Sequence, residues 1–140
     1  MQEKIAVDIS LPNQTKYLSL LGRIGENLAY APIRFSGDRD ELAFHLNLVL
    51  TEAATNAICH ANRQDPAKKL RVVIAISESR LTIQVHDEGE GFDIEAYAGS
   101  EAKETDERGR GVQLIFRLMD HVQYRGQTGG NVLEMTKYLL

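Results

Sequence analysis

The amino-acid sequence predicts an α/β (α+β) fold: a two-layer sandwich in which one mixed, mostly antiparallel sheet carries helices on one face. Three observations predict it. Two stretches read as hairpins, LRVVIAIS (70–77) with LTIQVHD (81–87), and VQYRG (122–126) with NVLEMTKYLL (131–140). Each pairs two apolar, strand-like runs across a short turn. Apolar residues recur at helical spacing between Asp38 and Asn62 and again from Val112 to Met119. The links between elements are short, which favours neighbouring strands and a single helix layer.

Composition bounds the function. The chain has 140 residues, 43% hydrophobic and 26% charged, enough for one domain with one good core. A formal charge of −4 leaves no basic footprint for nucleic acid. Cys59 is the only cysteine, which excludes an intramolecular disulfide or a cysteine-rich zinc site. With no positively charged apolar leader and no run near the roughly 20 residues of a membrane span, a cytoplasmic protein is expected. No repeat or linker divides residues 1–140, so a single domain is expected.

KIAVDIS (4–10) alternates and reads as a strand, broken by Pro12 and Asn13. Thr15 is the expected cap of a helix through about Tyr30, with Leu18, Leu21, Ile24 and Leu28 as its stripe. Gly22 and Gly25 weaken that helix but allow close packing. Arg23 points away from the stripe. Asp38 with Glu41 forms a capping-box-like start for a long helix whose buried face is Leu42, Leu46, Val49, Leu50, Ala53 and Ala57. On that helix Glu52, Asn56 and His60 stand four apart, each step drifting by about 40°, so they form a slanting row. The row starts at the edge of the apolar stripe and runs onto it, which makes His60 a packed core histidine. Taken alone, Glu52 reads as a solvated residue and Asn56 as a satisfied boundary amide.

The second half of the chain changes that reading. Period two places Asp87 on the same face as Leu81, Ile83 and Val85, an acid in register with an apolar row. Glu88-Gly89-Glu90-Gly91 follows, and its two glycines permit tight backbone geometry beside a ligand. Its acid spacing does not suit an EF-hand calcium loop. Residues 94–98 are expected to form one helical turn, and 99–108 a charged, mobile loop. Gly109-Arg110-Gly111 is expected to open a helix, its N-terminal N–H groups available to phosphate or the glycines simply a hinge. In a sandwich, Asp87 then points at the helix layer bordered by Glu52 and Asn56. A nucleotide fits such a cleft: a carboxylate for the adenine amino group, backbone donors for phosphate, and the Asn carbonyl for a hydrated Mg²⁺.

Glu52-x-x-x-Asn56-x-x-x-His60, Asp87-x-Gly89-x-Gly91 and Gly109-x-Gly111 resemble the N box and two glycine boxes of the GHKL ATPases with the Bergerat-type ATP-binding fold. Within that group, TEAATNAICHA, VHDEGEGFDI and GRGVQLIFRLMDHV are most similar to the bacterial anti-sigma-factor serine/threonine kinases, and the likeness spans residues 5–140. The resemblance implies Glu52 as general base, Asn56 as Mg²⁺ ligand, Asp87 as reader of adenine, and His60 as a further residue of the nucleotide site. It assigns Gly89, Gly91, Gly109 and Gly111 to the base and phosphate contacts, residues 99–108 to the ATP lid, and Arg23 to a protein partner. It further implies a homodimer that uses ATP and Mg²⁺ to phosphorylate an antagonist protein and sequesters a sigma factor.

Two departures stand out. Gly130-Asn131 replaces the usual Gly-Thr of the last strand, so Asn131 alters a contact near adenine. Arg108 directly precedes Gly109, and either Arg108 or Arg110 is placed to contact the γ-phosphate. Besides a kinase, the sequence admits a sequestering module that holds ATP as a structural ligand, and an interaction domain that binds no nucleotide.

Overall fold

The computed structural model describes residues 5–90 and 107–140, the side chains of residues 107–109 excepted. The expected helical turn at 94–98, Gly91 and most of the 99–108 segment lie outside these residues. In chain order the elements are β1 (Ile5–Pro12), a 3₁₀ turn (Thr15–Tyr17), α1 (Leu18–Ala29), α2 (Arg39–Thr55), a π-helical turn (Asn56–Ala61), β2 (Lys69–Ile76), β3 (Arg80–Asp87), α3 (Glu107–Leu118), β4 (His121–Gln127) and β5 (Gly130–Tyr138).

The five strands form one sheet in the order β1-β2-β3-β5-β4. Each pairing in it is antiparallel. Both hairpins form as the alternation requires, and Gly129, at φ +83°, supplies the left-handed residue of the second turn. Leu70, Val72, Ile74 and Ile76 of β2 and Leu81, Ile83 and Val85 of β3 are buried on the helix side. Register then carries Asp87 onto that side, opposite Asn131 of β5.

The helices meet the sheet through Leu21, Leu28, Leu42, Leu46, Leu50 and Ile115, each buried in one core cluster. Asp38 caps α2 as expected, its carboxylate accepting from Asp40 N–H at 2.8 Å and Glu41 N–H at 3.3 Å. Arg39 in turn reaches back to the carbonyls that end α1, donating to Ala29 at 3.1 Å and Ala31 at 2.9 Å. Gly22 and Gly25 face α2: a Cβ on Gly25 would sit 2.7 Å from Leu50 Cδ1. The two helices therefore pack as closely as the sequence allows. Thr15, by contrast, is no cap. It opens a 3₁₀ turn preceded by Gln14, whose side chain makes no capping bond.

The long helix differs at its end. After Thr55 it widens into a π-helical turn, closed by Asn62 N–H donating to Ala57 O at 2.7 Å. This wider winding turns each residue through less than the 100° of an α-helix, so the expected drift of the row stops at Asn56. Ala57, Ile58 and Ala61 stay buried while His60 emerges half-buried. The expectation of a core histidine at position 60 is therefore corrected.

Candidate nucleotide site

The site lies between the end of α2 and the ends of β3 and β5. Asn56 is buried, and its Oδ1 is the one buried side-chain polar atom among the described residues without a hydrogen-bond partner. A buried orphan carbonyl costs about 1–3 kcal/mol, which a ligand, water or cation can recover. Asn56 borders a small cavity with Ala53, Ala57 and Ala61 on the helix side and Val85, Asp87, Leu133 and Tyr124 on the sheet side. The three alanines leave the helix surface flat where it faces the sheet.

Asp87 is held from three directions. Its Oδ1 accepts from Gly89 N–H at 3.0 Å and from Asn131 Nδ2 at 3.0 Å. Its Oδ2 accepts from the Tyr124 hydroxyl at 3.3 Å. Asn131 also donates to Gly89 O at 2.9 Å, so one amide clamps both the carboxylate and the turn that follows it. The backbone is packed hard here. A Cβ on Gly89 would lie 1.6 Å from Ala61 O, and one on Gly130 would lie 1.9 Å from Asp87 O. Only glycine fits either place.

Glu52, half-buried one turn before Asn56, turns toward α3. A Cβ on Gly111 would meet its Oε2 at 2.4 Å. The carboxylate thus rests against the backbone near the N-terminal end of α3, where the helix dipole favours negative charge. Gly109 and Gly111, expected to open the helix, lie within its first turns, since α3 begins at Glu107. The missing Cβ of Gly111 is what leaves room for the Glu52 carboxylate.

At about 10 Å³ the cavity is far smaller than a purine. Admission of a base requires a lining side chain to yield, and Tyr124, on the edge strand β4, is the one lining residue that is not buried. The residues present fit Mg²⁺–ATP on two counts: the unpartnered Asn56 carbonyl, and the carboxylate of Asp87 lining the same cavity.

The sequence pattern of the histidine kinase-like ATPase domain matches residues 16–137. The chain belongs to the histidine kinase-like ATPase family. Within it, the serine-protein kinase RsbW of Bacillus subtilis (strain 168) is 31% identical over 141 residues, 95% of this chain and 85% of that protein. The RsbW of Listeria monocytogenes serotype 4a (strain HCC23) is also 31% identical, over 99% of this chain and 89% of that protein. Among solved structures, the histidine kinase domain of the Erythrobacter litoralis EL346 blue-light activated histidine kinase superposes with a TM-score of 0.51 at 20% identity. That match covers 92% of this chain and 62% of the other. A structure of the same light-activated kinase gives 0.55 over 42% of its length. At that identity the likeness bears on the fold alone, and it agrees with the Bergerat-type sandwich.

Of the residues that the ATPase motifs single out, the structure gathers Asn56, Asp87, Gly89 and Asn131 at one cavity, while Glu52 and Gly111 meet each other one helical turn before Asn56. His60 is half-buried on the π-helical turn and is not among the residues that line the cavity. Arg110 is exposed on α3, the side chain of Arg108 and the surroundings of Gly109 are outside the described residues, and Arg23 is exposed on α1.

Two contributors escape the motifs. Asn62, fully buried, donates from Nδ2 to Asn13 Oδ1 at 3.0 Å and Lys69 O at 3.2 Å, and accepts from Glu88 N–H at 2.8 Å. It ties the end of the helix to the turn behind Asp87. Its position in a polar loop hid it. Tyr124 was readable only as one more alternating residue of a strand.

Proposed function

We propose that the chain is an ATP-dependent protein serine/threonine kinase acting as an anti-sigma-factor-type switch, one that phosphorylates an antagonist protein and sequesters a partner. The observation that carries this reading is the half-buried Glu52 carboxylate lodged at Gly111, one helical turn before the unpartnered carbonyl of Asn56. Relatives of 31% identity named as serine-protein kinases support it.

The chemistry follows from the groups. Asp87 Oδ2 accepts from the adenine amino group, and Asn131 and Gly89 hold the carboxylate in place. Asn56 Oδ1 would hold Mg²⁺, which supplies charge neutralisation at the phosphates when bound. Glu52 takes the proton of the incoming serine or threonine hydroxyl as its oxygen bonds to the γ-phosphorus and the bond to the β-phosphate oxygen breaks, releasing ADP. Of the two cationic candidates for the γ-phosphate, Arg110 is exposed on α3 beside Gly111 and Arg108 precedes it by two positions. Arg23, exposed on α1, anchors the protein partner of a cytoplasmic homodimer.

The test uses γ-labelled ATP with candidate antagonist proteins. Glu52→Gln keeps size and helix propensity and is expected to slow transfer by about 10²–10⁴-fold with near-normal ATP binding. Asn56→Ala is expected to impair Mg²⁺-dependent binding as well. Parental chain that transfers phosphate to no bound partner would make the chain an ATP-clamped sequestering module. Transfer by Glu52→Gln at the parental rate would remove Glu52 as the base.

A further inference from the structure

Asp87 uses its two oxygens differently. Oδ1 is committed to the protein, with Gly89 N–H and Asn131 Nδ2 both at 3.0 Å. Oδ2 takes the Tyr124 hydroxyl at 3.3 Å, longer than the 2.5–3.0 Å usual for an O–H···O bond. Asn131 has no further N–H to offer, since Nδ2 also donates to Gly89 O. An acceptor and a donor therefore stand side by side on the wall of the cavity that Asn56 also borders.

We propose that Tyr124 is a base-recognition residue of this site, forming with Asp87 Oδ2 an acceptor–donor pair that reads the edge of adenine. An aminopurine carries its exocyclic amino donor next to ring-nitrogen acceptors. When the amino group takes Asp87 Oδ2, the Tyr124 hydroxyl turns its proton from the carboxylate to the flanking ring nitrogen. The rotation exchanges a long bond for a new one and leaves the clamp on Oδ1 untouched. Asp87 meanwhile rejects the carbonyl oxygen that guanine presents at the same place. Tyr124 is half-exposed on edge strand β4, the one residue lining the cavity that is not buried. This inference rests on the proposed reading of Asp87 as the adenine acceptor.

Titration calorimetry of the full chain with ATP, 1-deaza-ATP and 7-deaza-ATP tests it, using Tyr124→Phe and Asp87→Asn. Phenylalanine keeps the ring and loses only the hydroxyl, and thermal melts check that both variants fold. Tyr124→Phe is expected to weaken ATP about 3- to 10-fold, the range of one neutral hydrogen bond. For the analogue lacking the contacted nitrogen, Tyr124→Phe is expected to change nothing. The other analogue should follow ATP. With the parental chain, that first analogue alone binds more weakly than ATP, a result that does not depend on any variant.

Unchanged ATP affinity in Tyr124→Phe, or an equal loss for all three nucleotides, overturns the proposal while Asp87→Asn still weakens ATP. If Asp87→Asn binds ATP as the parent does, the reading of Asp87 fails and the role of Tyr124 falls with it.

Discussion

Replacing Gly111 with alanine separates stability from catalysis at this site. The new Cβ would lie 2.4 Å from Glu52 Oε2, whereas ordinary contact begins near 3.4 Å. One of the two must move by about 1 Å, and the far end of a glutamate side chain moves more cheaply than a helix backbone. Gly111 is not among the positive-φ residues, so alanine suits its backbone. In a helix, alanine gains up to about 1 kcal/mol over glycine. Gly111→Ala is therefore expected to fold at least as stably as the parent, within about 1 kcal/mol. The same ångström matters more to transfer, because a misplacement of that size can cost about 10²-fold in rate. The assay is single-turnover transfer from γ-labelled ATP to a bound antagonist, with ATP affinity and thermal melts measured in parallel. Transfer at the parental rate would refute the placement of Glu52 against α3 in the reacting state. A collapse of ATP affinity would instead show that the methyl blocks the phosphates.

Three further outcomes follow from the geometry. Gly89→Ala drives a Cβ to 1.6 Å from the Ala61 carbonyl, backbone against backbone, and is expected to cost about 1–3 kcal/mol or more in urea unfolding and to weaken ATP binding by displacing the turn from Asp87. Arg23→Ala removes an exposed side chain on α1 and is expected to lower partner affinity about tenfold in a pull-down titration, with ATP binding unchanged. Burial, then the nearby Arg71 and Arg125 cations, hold His86 below the ordinary 6.5 against the opposing pull of Asp8 and Asp87. The unfolded chain then binds this proton more readily, so stability is complete above about pH 6.5 and falls as pH drops below it. Thermal melts between pH 7.5 and 5.5 should show that slope, and His86→Gln should flatten it.

Much of the fold was legible because its signals are local. Period-two alternation in 70–77 and 81–87 is enough to specify the hairpin, and the hairpin's phase is enough to send Asp87 to the helix side. Asp38 at the start of α2 is likewise a one-residue signal with a one-residue consequence. The misreadings share a different cause. Thr15 has the right side chain for a cap, but the chain there turns as 3₁₀, and a cap is a matter of backbone course as much as of residue type. Asn62 and Tyr124 act through partners 26 and 37 positions away in sequence, Glu88 and Asp87, and no periodicity reports such a pairing.

The π-helical turn is where local pattern and tertiary demand part company, and its position explains why. A regular α-helix through Ala61 would carry the row from Glu52 toward the core and bring His60 with it. The wider turn begins at Asn56, so Glu52 and Asn56 keep α-helical spacing on the cleft side while the backbone beyond them is rewound. Rewinding lets Ala57 and Ala61 both face the sheet and brings the Ala61 carbonyl into contact with Gly89. It also leaves Asn62 buried with its Oδ1 on Glu88 N–H at 2.8 Å. The residue that would hold Mg²⁺ and the turn that orients the proposed adenine acceptor are thereby joined through six residues of one helix end. A strain introduced at Asn62 should therefore reach Asp87 before it reaches Glu52, since the π-helical turn lies between Asn62 and the regular helix that carries Glu52.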